Sequence, residues 1–257
     1  MAKETALITG ASSGIGLEFA KLFAADGSDL VLVARREEKL KGIAEELETA
    51  HGIKVHVLAK DLSKPKAPDE IFSALKKQKI QIDVLVNNAG FGKKEVFSET
   101  DKEIHLDMVQ VNVMALTHLT KLFLTGILER GHGGILNVGS LAGFQPGPNL
   151  AVYFATKAYV LSFTEALSEE IDNPNIKISC FAPGPVKTEF GEKSELDDSL
   201  LFKMSLIDAE PAVKVGYEGF RKGQVIVIPG LKQQMVPFLN RITPRFLLRK
   251  IAKRLNT

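Results

Sequence analysis

The chain has 257 residues, of which 45% are hydrophobic and 25% charged, so one large globular α/β domain over 1–257 is expected rather than two small ones. A net charge of +2 gives no reason to expect a nucleic-acid partner. The single cysteine, Cys180, lies in the apolar stretch IKISCFA and excludes a disulfide within the chain and a Cys-based zinc site, and the five histidines lack metal-ligand spacing, so no metal is predicted.

Apolar strands and amphipathic helices alternate along the chain, which predicts a parallel sheet covered by helices on both faces. The predicted strands are about 4–9, 29–34, 54–59, 83–86, 134–139, 176–182 and 224–228. The predicted helices are about 14–26, 37–51, 69–78, 103–130, 151–172 and 211–221, with 187–209 irregular. Six or seven strands in this succession make a doubly wound sheet, whose ligands lie beyond the carboxyl ends of the strands.

The start of the chain also bears on its location. The first predicted strand begins almost at the first residue, without a basic-then-apolar leader. We find no uninterrupted apolar run of about 18 residues, the length that a membrane span requires. A cytoplasmic protein is therefore expected.

A glycine-rich turn follows the first strand and opens the first helix. It reads Thr9-Gly10-Ala11-Ser12-Ser13-Gly14-Ile15-Gly16, with the spacing G-x-x-x-G-x-G instead of the commoner G-x-G-x-x-G. In this context glycines let the backbone approach a pyrophosphate that is bound at a helix N-terminus. The turn predicts a nucleotide site; a glycine-rich turn without a ligand is the alternative.

Two arginines stand where the second strand ends. A carboxylate at this place would hydrogen-bond the ribose 2′-hydroxyl of NAD. The residues here are instead Ala34, Arg35 and Arg36, and two guanidinium groups suit a 2′-phosphate in charge and geometry. NADP is therefore expected ahead of NAD. The alternative is that both arginines solvate the start of the next helix and pair with Glu37 and Glu38.

A serine, a tyrosine and a lysine occur together in the segment SLAGFQPGPNLAVYFATK, residues 140–157. Tyr153 and Lys157 are four positions apart and share one face of a helix. A phenol has a pKa of about 10, and a nearby cation lowers it by favouring the phenolate. Ser140 ends the apolar run GGILNVGS, so its hydroxyl is expected to point to the same place and to hold a substrate oxygen. An ordinary surface Tyr–Lys pair is the alternative.

These motifs occur in a fixed order, each at the end of a predicted strand or the start of a helix: the glycine turn, Asn87-Asn88-Ala89-Gly90, Ser140, Tyr153, Lys157 and Pro183-Gly184. From Thr9 to Thr188 the chain resembles the short-chain dehydrogenase/reductase family. The resemblance implies a single Rossmann domain with strand order 3-2-1-4-5-6-7. It also implies hydride transfer between the nicotinamide and a carbonyl or alcohol carbon.

The resemblance further implies a catalytic tetrad of Asn112, Ser140, Tyr153 and Lys157. In that scheme Tyr153 exchanges the proton at the substrate oxygen and Ser140 hydrogen-bonds that oxygen. Lys157 lowers the tyrosine pKa and binds the nicotinamide ribose, while Asn112 holds a water that connects Lys157 to solvent. Acid-base help of this kind contributes about 10²–10⁴-fold.

Further cofactor-binding positions carry over residue by residue. They fall into the adenine-contacting acid and its neighbour, the floor at the fourth strand and the nicotinamide side: Asp61, Leu62, Asn88, Ala89, Gly90, Pro183, Gly184, Val186 and Thr188. One position departs from the family. NADP-preferring members often have a basic residue just before the second motif glycine, and here it is Ser13. A preference for the phosphate then depends on Arg35 and Arg36.

The substrate pocket is expected to be bordered by Phe91-Gly92, by 143–146 and by a lid within 187–222. The lid is rich in large apolar residues, which suggests a lipophilic substrate such as a 3-oxoacyl thioester or a ketosteroid: Phe190, Leu196, Leu200, Leu201, Phe202, Met204 and Leu206. The alternative is that these side chains only fold the loop onto the body.

Residues 231–257 form a basic amphipathic extension. It has seven basic residues and no acidic one: Lys232, Arg241, Arg245, Arg249, Lys250, Lys253 and Arg254. Apolar residues recur at helical spacing in two stripes: Met235, Phe238, Leu239 and Ile242, then Leu248, Ile251, Ala252 and Leu255. The extension is expected to cover the pocket or a neighbouring subunit, or to contact anionic lipid, an acidic carrier protein or a phosphorylated substrate.

Two other functions compete with an NADP-dependent reductase. A non-catalytic dinucleotide sensor would not need the Tyr, Lys, Ser and Asn set. A methyltransferase also uses a glycine turn after the first strand, but it has no need of Tyr-x-x-x-Lys, and Arg35-Arg36 replace the acid that would hold the ribose. The family resemblance also implies a homodimer or homotetramer paired through the helices at 103–130 and 151–172.

Overall fold

The computed structural model describes residues 3–194 and 206–256. Its strands are β1 Thr5–Thr9, β2 Asp29–Ala34, β3 Val55–Ala59, β4 Val84–Asn87, β5 Gly133–Val138, β6 Ile176–Phe181, β7 Val186–Lys187, β8 Ile207–Asp208 and β9 Ile226–Val227. Its helices are α1 Gly14–Ala25, α2 Glu37–His51, α3 Ala67–Lys77, α4 Lys102–Val109, α5 Leu116–Arg130, α6 Ala151–Glu170, α7 Glu189–Lys193, α8 Ala209–Arg221, α9 Leu231–Ile242 and α10 Arg245–Asn256.

Seven parallel strands form one sheet in the order β3-β2-β1-β4-β5-β6-β9. In the centre, Ile8 of β1 is in register with Leu32 of β2 on one side and Val86 of β4 on the other. Strand order reverses between β1 and β4, and in an open sheet of this type the crevice at the reversal is where ligands bind. The predicted Rossmann fold and strand order are confirmed.

Alternate side chains of the strands enter two cores, one on each face of the sheet. On one face Ile8 and Leu32 pack with Phe19 of α1 and Phe220 of α8. The other face buries strand residues such as Leu7, Val31 and Ile135 against α3, α5 and α6. Side chains of successive strand residues point to opposite faces, so near-continuous apolar strands require helices on both.

Helices α4 and α5 are joined by a π-helical turn, Gln110–Ala115, which the sequence did not predict. The combined helix, Lys102–Arg130, is long and apolar enough to cross a membrane by length and composition alone. Its residues Leu119, Phe123 and Ile127 pack in the core instead. A core helix passes the same test, so this segment is an ordinary covering helix of the sheet.

The segment predicted as an irregular lid differs from the expectation. It contains β7, α7 and β8, and the predicted lid limit at 222 includes α8, whose Val213 and Phe220 are buried in the sheet core. Core packing therefore removes α8 from any movable lid. Leu196, Leu200, Leu201, Phe202 and Met204 lie outside the described residues.

Candidate active site

A cleft of about 1330 Å³ runs along the carboxyl edge of the sheet. Every candidate site residue except Gly16 and Asn112 lines it. The cleft extends from Arg35 and Arg36 beyond β2, past the glycine turn, to Tyr153 and Lys157 on α6. Residues that are far apart in the chain therefore meet where the strand order reverses.

The glycine turn has the conformation and the clearance that a bound dinucleotide requires. Gly14 has φ +55°, which favours glycine over a residue with a side chain. Gly16 lies below the cleft, and a Cβ there would be 2.4 Å from the Asn88 amide nitrogen. Glycine at this place lets α1 approach β4 closely. The turn and the start of α1 thus fit a pyrophosphate group bound at a helix N-terminus.

Thr9 fixes the loop after β4 against the glycine turn. Its Oγ1 accepts hydrogen bonds from the backbone N–H of Asn88 at 2.9 Å and of Ala89 at 3.0 Å. The Asn88 side chain in turn donates to the Thr9 carbonyl at 2.8 Å. The predicted floor of the site, Asn88 to Gly90, is therefore held by a threonine that the sequence analysis had not assigned to it.

Arg36 lies beside the glycine turn and binds it directly. Its guanidinium donates to the hydroxyls of Ser12 at 3.0 Å and Ser13 at 2.8 Å. It also forms an ion pair of 2.9 Å with Glu189, the first residue of α7. Lys39 reaches the same carboxylate at 2.9 Å. Two cations thus converge on one carboxylate at the end of the cleft where the adenosine part of a dinucleotide is predicted to bind, here called the adenosine end.

In the alternative, Glu37 and Glu38 would pair with the two arginines, but both carboxylates pair with Lys41 instead. Within residues 3–194 and 206–256, we find no ion pair of Arg35, which is exposed and lines the cleft. Its guanidinium therefore does not simply neutralise the start of α2. Both arginines line the cleft beyond β2, where the sequence predicts a 2′-phosphate.

The remaining cofactor positions border the cleft at both ends. Asp61 accepts a hydrogen bond from the Ser63 backbone at 3.0 Å, which orders the loop after β3 next to Leu62. At the other end, Gly184 donates its N–H to the Gln233 side chain of α9 at 3.0 Å. Pro183 and Val186 also line the cleft, and Thr188 lies against the glycine turn, where a Cβ on Gly14 would be 3.0 Å from its side chain. The predicted adenine and nicotinamide positions therefore all border one cleft.

Tyr153, Ser140 and Lys157 come together as expected. The Tyr153 and Ser140 side chains lie close enough that Ser140 lowers the pKa of the phenol, and Ser140 Oγ accepts from the Ala142 backbone at 3.1 Å. Lys157 lies one turn further along α6, with Nζ donating to the Val138 carbonyl at 2.8 Å. Its ammonium is 5.8 Å from the centre of the Tyr153 ring. Helix α6 and the end of β5 thus converge on one hydroxyl pair.

The pKa values of this group are set mainly by burial. Burial raises the pKa of Tyr153 to about 12, although the neighbouring Ser140 hydroxyl acts in the opposite direction. Burial likewise lowers the pKa of Lys157 to about 8, with Cys180 opposing the change. Burial therefore outweighs any lowering of the phenol pKa by Lys157, whose Nζ is directed to the Val138 carbonyl.

Asn112 is 2% exposed and lies behind the cleft in the π-helical turn. Its Oδ1 accepts from the Phe91 N–H at 3.1 Å, and its Nδ2 donates to the Phe91 carbonyl at 2.9 Å and to Thr156 at 3.1 Å. Both donors of the amide are used by protein groups. Asn112 therefore ties the loop after β4 to α6, next to Lys157.

Some residues of the site were not found by sequence reasoning. Glu189, Lys39 and Gln233 take part through contacts between elements that are distant in the chain. Lys39 gave a local signal, since it is three positions after Arg36 on the helix and therefore near it. Gln233 gave none, because an isolated glutamine in a basic helix indicates no partner.

The pocket borders are partly as expected. Phe91, Gly92 and Gln145 line the cleft. Phe144, in contrast, packs against Leu116 and Val160 behind it. Gly143 lies against the backbone of α6, where a Cβ would be 2.7 Å from the Lys157 carbonyl.

Comparison with known proteins places the chain in a family. The model of the short chain dehydrogenase family matches residues 4–199. An oxidoreductase of Staphylococcus epidermidis is 32% identical over 201 residues, which are 76% of this chain and 86% of that protein. A very-long-chain 3-oxoacyl-CoA reductase of Phaeosphaeria nodorum is 36% identical over 181 residues, 68% of this chain but only 52% of the relative.

Among solved structures, a short-chain dehydrogenase from Sphingobium yanoikuyae in complex with NADPH has 32% identity and a TM-score of 0.82. The similarity covers 89% of this chain and 88% of that one. The chain belongs to the short-chain dehydrogenase family.

Proposed function

We propose that this oxidoreductase uses NADP(H) to interconvert a lipophilic carbonyl compound and its alcohol, with Tyr153 as the acid-base group. The observation that carries the proposal is the convergence of the Tyr153 hydroxyl, Ser140 and Lys157 beside the nucleotide cleft. A binding protein needs the cleft but not this convergence. The set therefore favours catalysis over the alternative, a non-catalytic NADP-binding sensor or scaffold.

When bound, the nicotinamide supplies the hydride. The chain's own residues orient the substrate and move a proton. Ser140 donates a hydrogen bond to the substrate oxygen, and Tyr153, protonated below about pH 12, gives that oxygen its proton during reduction. The Lys157 ammonium holds the ribose and stabilises the phenolate left behind. Asn112 holds the loop after β4 against α6 through its hydrogen bonds to Phe91 and Thr156.

NADP is the proposed cofactor because of the charges at the adenosine end. Arg36 and Lys39 converge there, and Arg35 lines the same part of the cleft. Guanidinium and ammonium groups bind a 2′-phosphate and gain little from a 2′-hydroxyl. The NADPH complex of the similar Sphingobium protein supports this choice.

A lipophilic substrate is proposed from the other end of the cleft. Tyr153 is surrounded there by Phe154 and Phe190, with ring centres 6.1 and 5.6 Å away. Large apolar residues continue along the wall: Phe91, Ile104, Leu150, Leu206, Val236 and Leu255. The name of the Phaeosphaeria relative supports a 3-oxoacyl thioester. A ketosteroid or another aliphatic or aromatic ketone fits the same wall.

The test offers NADPH together with a panel of 3-oxoacyl thioesters, ketosteroids, diketones and aliphatic aldehydes. Oxidation of NADPH is measured as the loss of its absorbance. Tyr153→Phe removes only the hydroxyl and is expected to lower kcat by about 10²–10⁴-fold. Tyr159→Phe is the matched control, since Tyr159 lies on the same helix and its hydroxyl contacts Thr117 instead. Full turnover in Tyr153→Phe, or none with any carbonyl, would contradict the proposal.

We also propose a homodimer or homotetramer paired through α4, α5 and α6. Large apolar side chains are exposed on these helices and on the π-helical turn between α4 and α5, among them Leu106, Met114, Leu128 and Tyr159. Covering them with a second copy would remove apolar area from water.

A further inference from the structure

Helix α9 presents its apolar side to solvent. Leu231, Met235, Phe238 and Ile242 lie on one stripe, at spacings of four, three and four residues, and Leu239 is beside it. All five are exposed, Leu231 by 83% and Ile242 by 63%. An ordinary surface helix of a globular protein buries this stripe.

The polar side of α9 packs on the body instead. Gln233 is 6% exposed and accepts from the Gly184 N–H. Gln234 donates to the Ile228 carbonyl at 3.0 Å, and Asn240 donates to the Gln145 side chain at 3.2 Å. Three amides thus fix the orientation, so the apolar stripe cannot turn inward without breaking them. The apolar stripe of α9 therefore remains in contact with solvent.

Helix α10 continues the exposed apolar surface only in part. Leu248 and Ala252 are buried, whereas Phe246, Leu247 and Ile251 are exposed. The predicted second stripe is therefore divided: Leu248 and Ala252 attach the helix, and Ile251 remains outside. We call the exposed set the apolar surface: Leu231, Met235, Phe238, Leu239, Ile242, Phe246, Leu247 and Ile251.

Positive charge accompanies this surface. Residues 231–257 contain seven basic residues and no acidic one. Six of the basic side chains are exposed and form no ion pair within the part of the chain that the structure describes: Lys232, Arg241, Arg245, Arg249, Lys250 and Arg254. Apolar side chains surrounded by unpaired cations match an anionic bilayer surface. The apolar side chains enter the acyl boundary, and the cations contact the anionic headgroups.

We propose that α9 and α10 bind the chain to the surface of an anionic membrane. A second copy of the chain fits less well, because pairing this surface with itself would bring both sets of cations together. The same helices also line the cleft, through Leu231 and Lys232 at the start of α9 and through Gln233, Val236 and Leu255. Bound in this way, the protein has its cleft close to a lipid phase.

The test is co-sedimentation of the full chain with vesicles of phosphatidylcholine alone or mixed with phosphatidylglycerol. We expect binding to the mixed vesicles only, with loss at high salt because salt screens the charges. Lys250→Gln with Arg254→Gln should weaken partitioning by about tenfold or more, since each cation near the surface contributes measurably. Phe238→Ser with Ile242→Ser should have a similar effect.

Matched controls remove the same groups elsewhere. Lys76→Gln with Lys77→Gln removes two exposed cations of α3, and Val215→Ser removes an exposed apolar side chain of α8. These variants should bind vesicles like the wild type. Circular dichroism and NADPH turnover confirm that each variant is folded.

Three results would overturn the proposal. The first is an absence of binding to anionic vesicles. The second is binding that the α9 and α10 substitutions leave unchanged. The third is weaker self-association of the Phe238→Ser with Ile242→Ser variant than of the wild type in the absence of lipid. This result would assign the apolar surface to contact with a second copy of the chain.

Discussion

At the residue scale, Lys157 decides how the site responds to pH. The lysine is buried and donates to the Val138 carbonyl, and no carboxylate is paired with it among the described residues. Burial disfavours its charged form. Its ammonium is therefore partly lost in a pH range where Tyr153 is still fully protonated.

We expect kcat/KM for carbonyl reduction to fall as pH rises through about 8. The pKa of Lys157 is lowered to about 8, so the charged form predominates below this value and the neutral form above it. Tyr153, with its pKa raised to about 12, remains a proton donor throughout. A pH profile measured with saturating NADPH tests this. A rate that stays constant well beyond pH 8 would show that the cation is not required or that its pKa is not lowered.

Cofactor preference is also a matter of single residues. Arg36→Ala should raise the KM for NADPH by about tenfold or more, because a charge-assisted bond to the 2′-phosphate contributes about 1.5–3 kcal/mol. The KM for NADH should change little. Steady-state kinetics with both cofactors measures the difference. Equal changes for NADPH and NADH would remove Arg36 from phosphate recognition.

Glu189 provides the second half of this test. Its carboxylate binds Arg36 and Lys39, the two cations that a 2′-phosphate would use. Glu189→Gln should therefore lower the KM for NADPH, by no more than about fivefold because the pair is solvent-accessible. Glu38→Gln, which loses a pair with Lys41 on α2, is the control. A higher KM in Glu189→Gln would mean that the carboxylate orients Arg36 instead of competing.

The sequence was informative about residues with a strict chemical requirement and less so about their environment. Tyr153, Ser140 and Lys157 were found because only a few residue types perform acid-base work at a carbonyl. The pKa of Tyr153 was predicted in the wrong direction, because helical spacing shows that a cation is near but not how deeply the pair is buried.

At the element scale, the π-helical turn shows what periodicity misses. A pattern with a 3.6-residue repeat predicts one continuous helix at 103–130, and one extra residue in a turn hardly disturbs it. The turn places Asn112 opposite Phe91 and Thr156. Such turns are frequent at functional sites, where they reorient a side chain.

Asn112→Ala should lower the free energy of unfolding by about 2–4 kcal/mol. The change leaves the N–H and carbonyl of Phe91 without their partner, and each unmet group costs about 1–3 kcal/mol when it is shielded from water. Urea denaturation measures the loss. Asn175→Ala, at an exposed position, should change stability by less than about 0.5 kcal/mol. A loss below about 1 kcal/mol for Asn112→Ala would mean that water replaces the amide.

Helix α9 marks another limit of sequence reasoning. Its apolar stripe was predicted correctly in spacing, yet the amphipathic pattern does not say which side contacts the body. The Gly184 N–H and the Ile228 carbonyl select the glutamine side. Gly184 is about 50 residues away from Gln233 in the sequence, so a local pattern cannot reveal this contact.

At the scale of the whole molecule, the strand order followed from the alternation of strands and helices together with the family resemblance. Short apolar strands that alternate with amphipathic helices allow few topologies once crossovers are right-handed. The oligomeric state could not be predicted in the same way. It depends on contacts between surface residues, and the sequence pattern does not show which surface contacts another molecule. The exposed apolar residues of α4 to α6 and those of α9 and α10 are therefore separate candidates for contact.

Sedimentation equilibrium should give a mass of two or four 28.1 kDa chains at micromolar concentration. The proposed contact uses Leu106 and Met114, which are 59% and 57% exposed. Leu106→Lys with Met114→Lys places two charges in that contact and should yield monomers, because a buried unpaired charge is costly. Phe238→Ser with Ile242→Ser should leave the mass unchanged, since membrane binding and subunit pairing use different helices. A monomeric wild type would refute the pairing, and dissociation by the α9 variant alone would move the interface to the apolar surface.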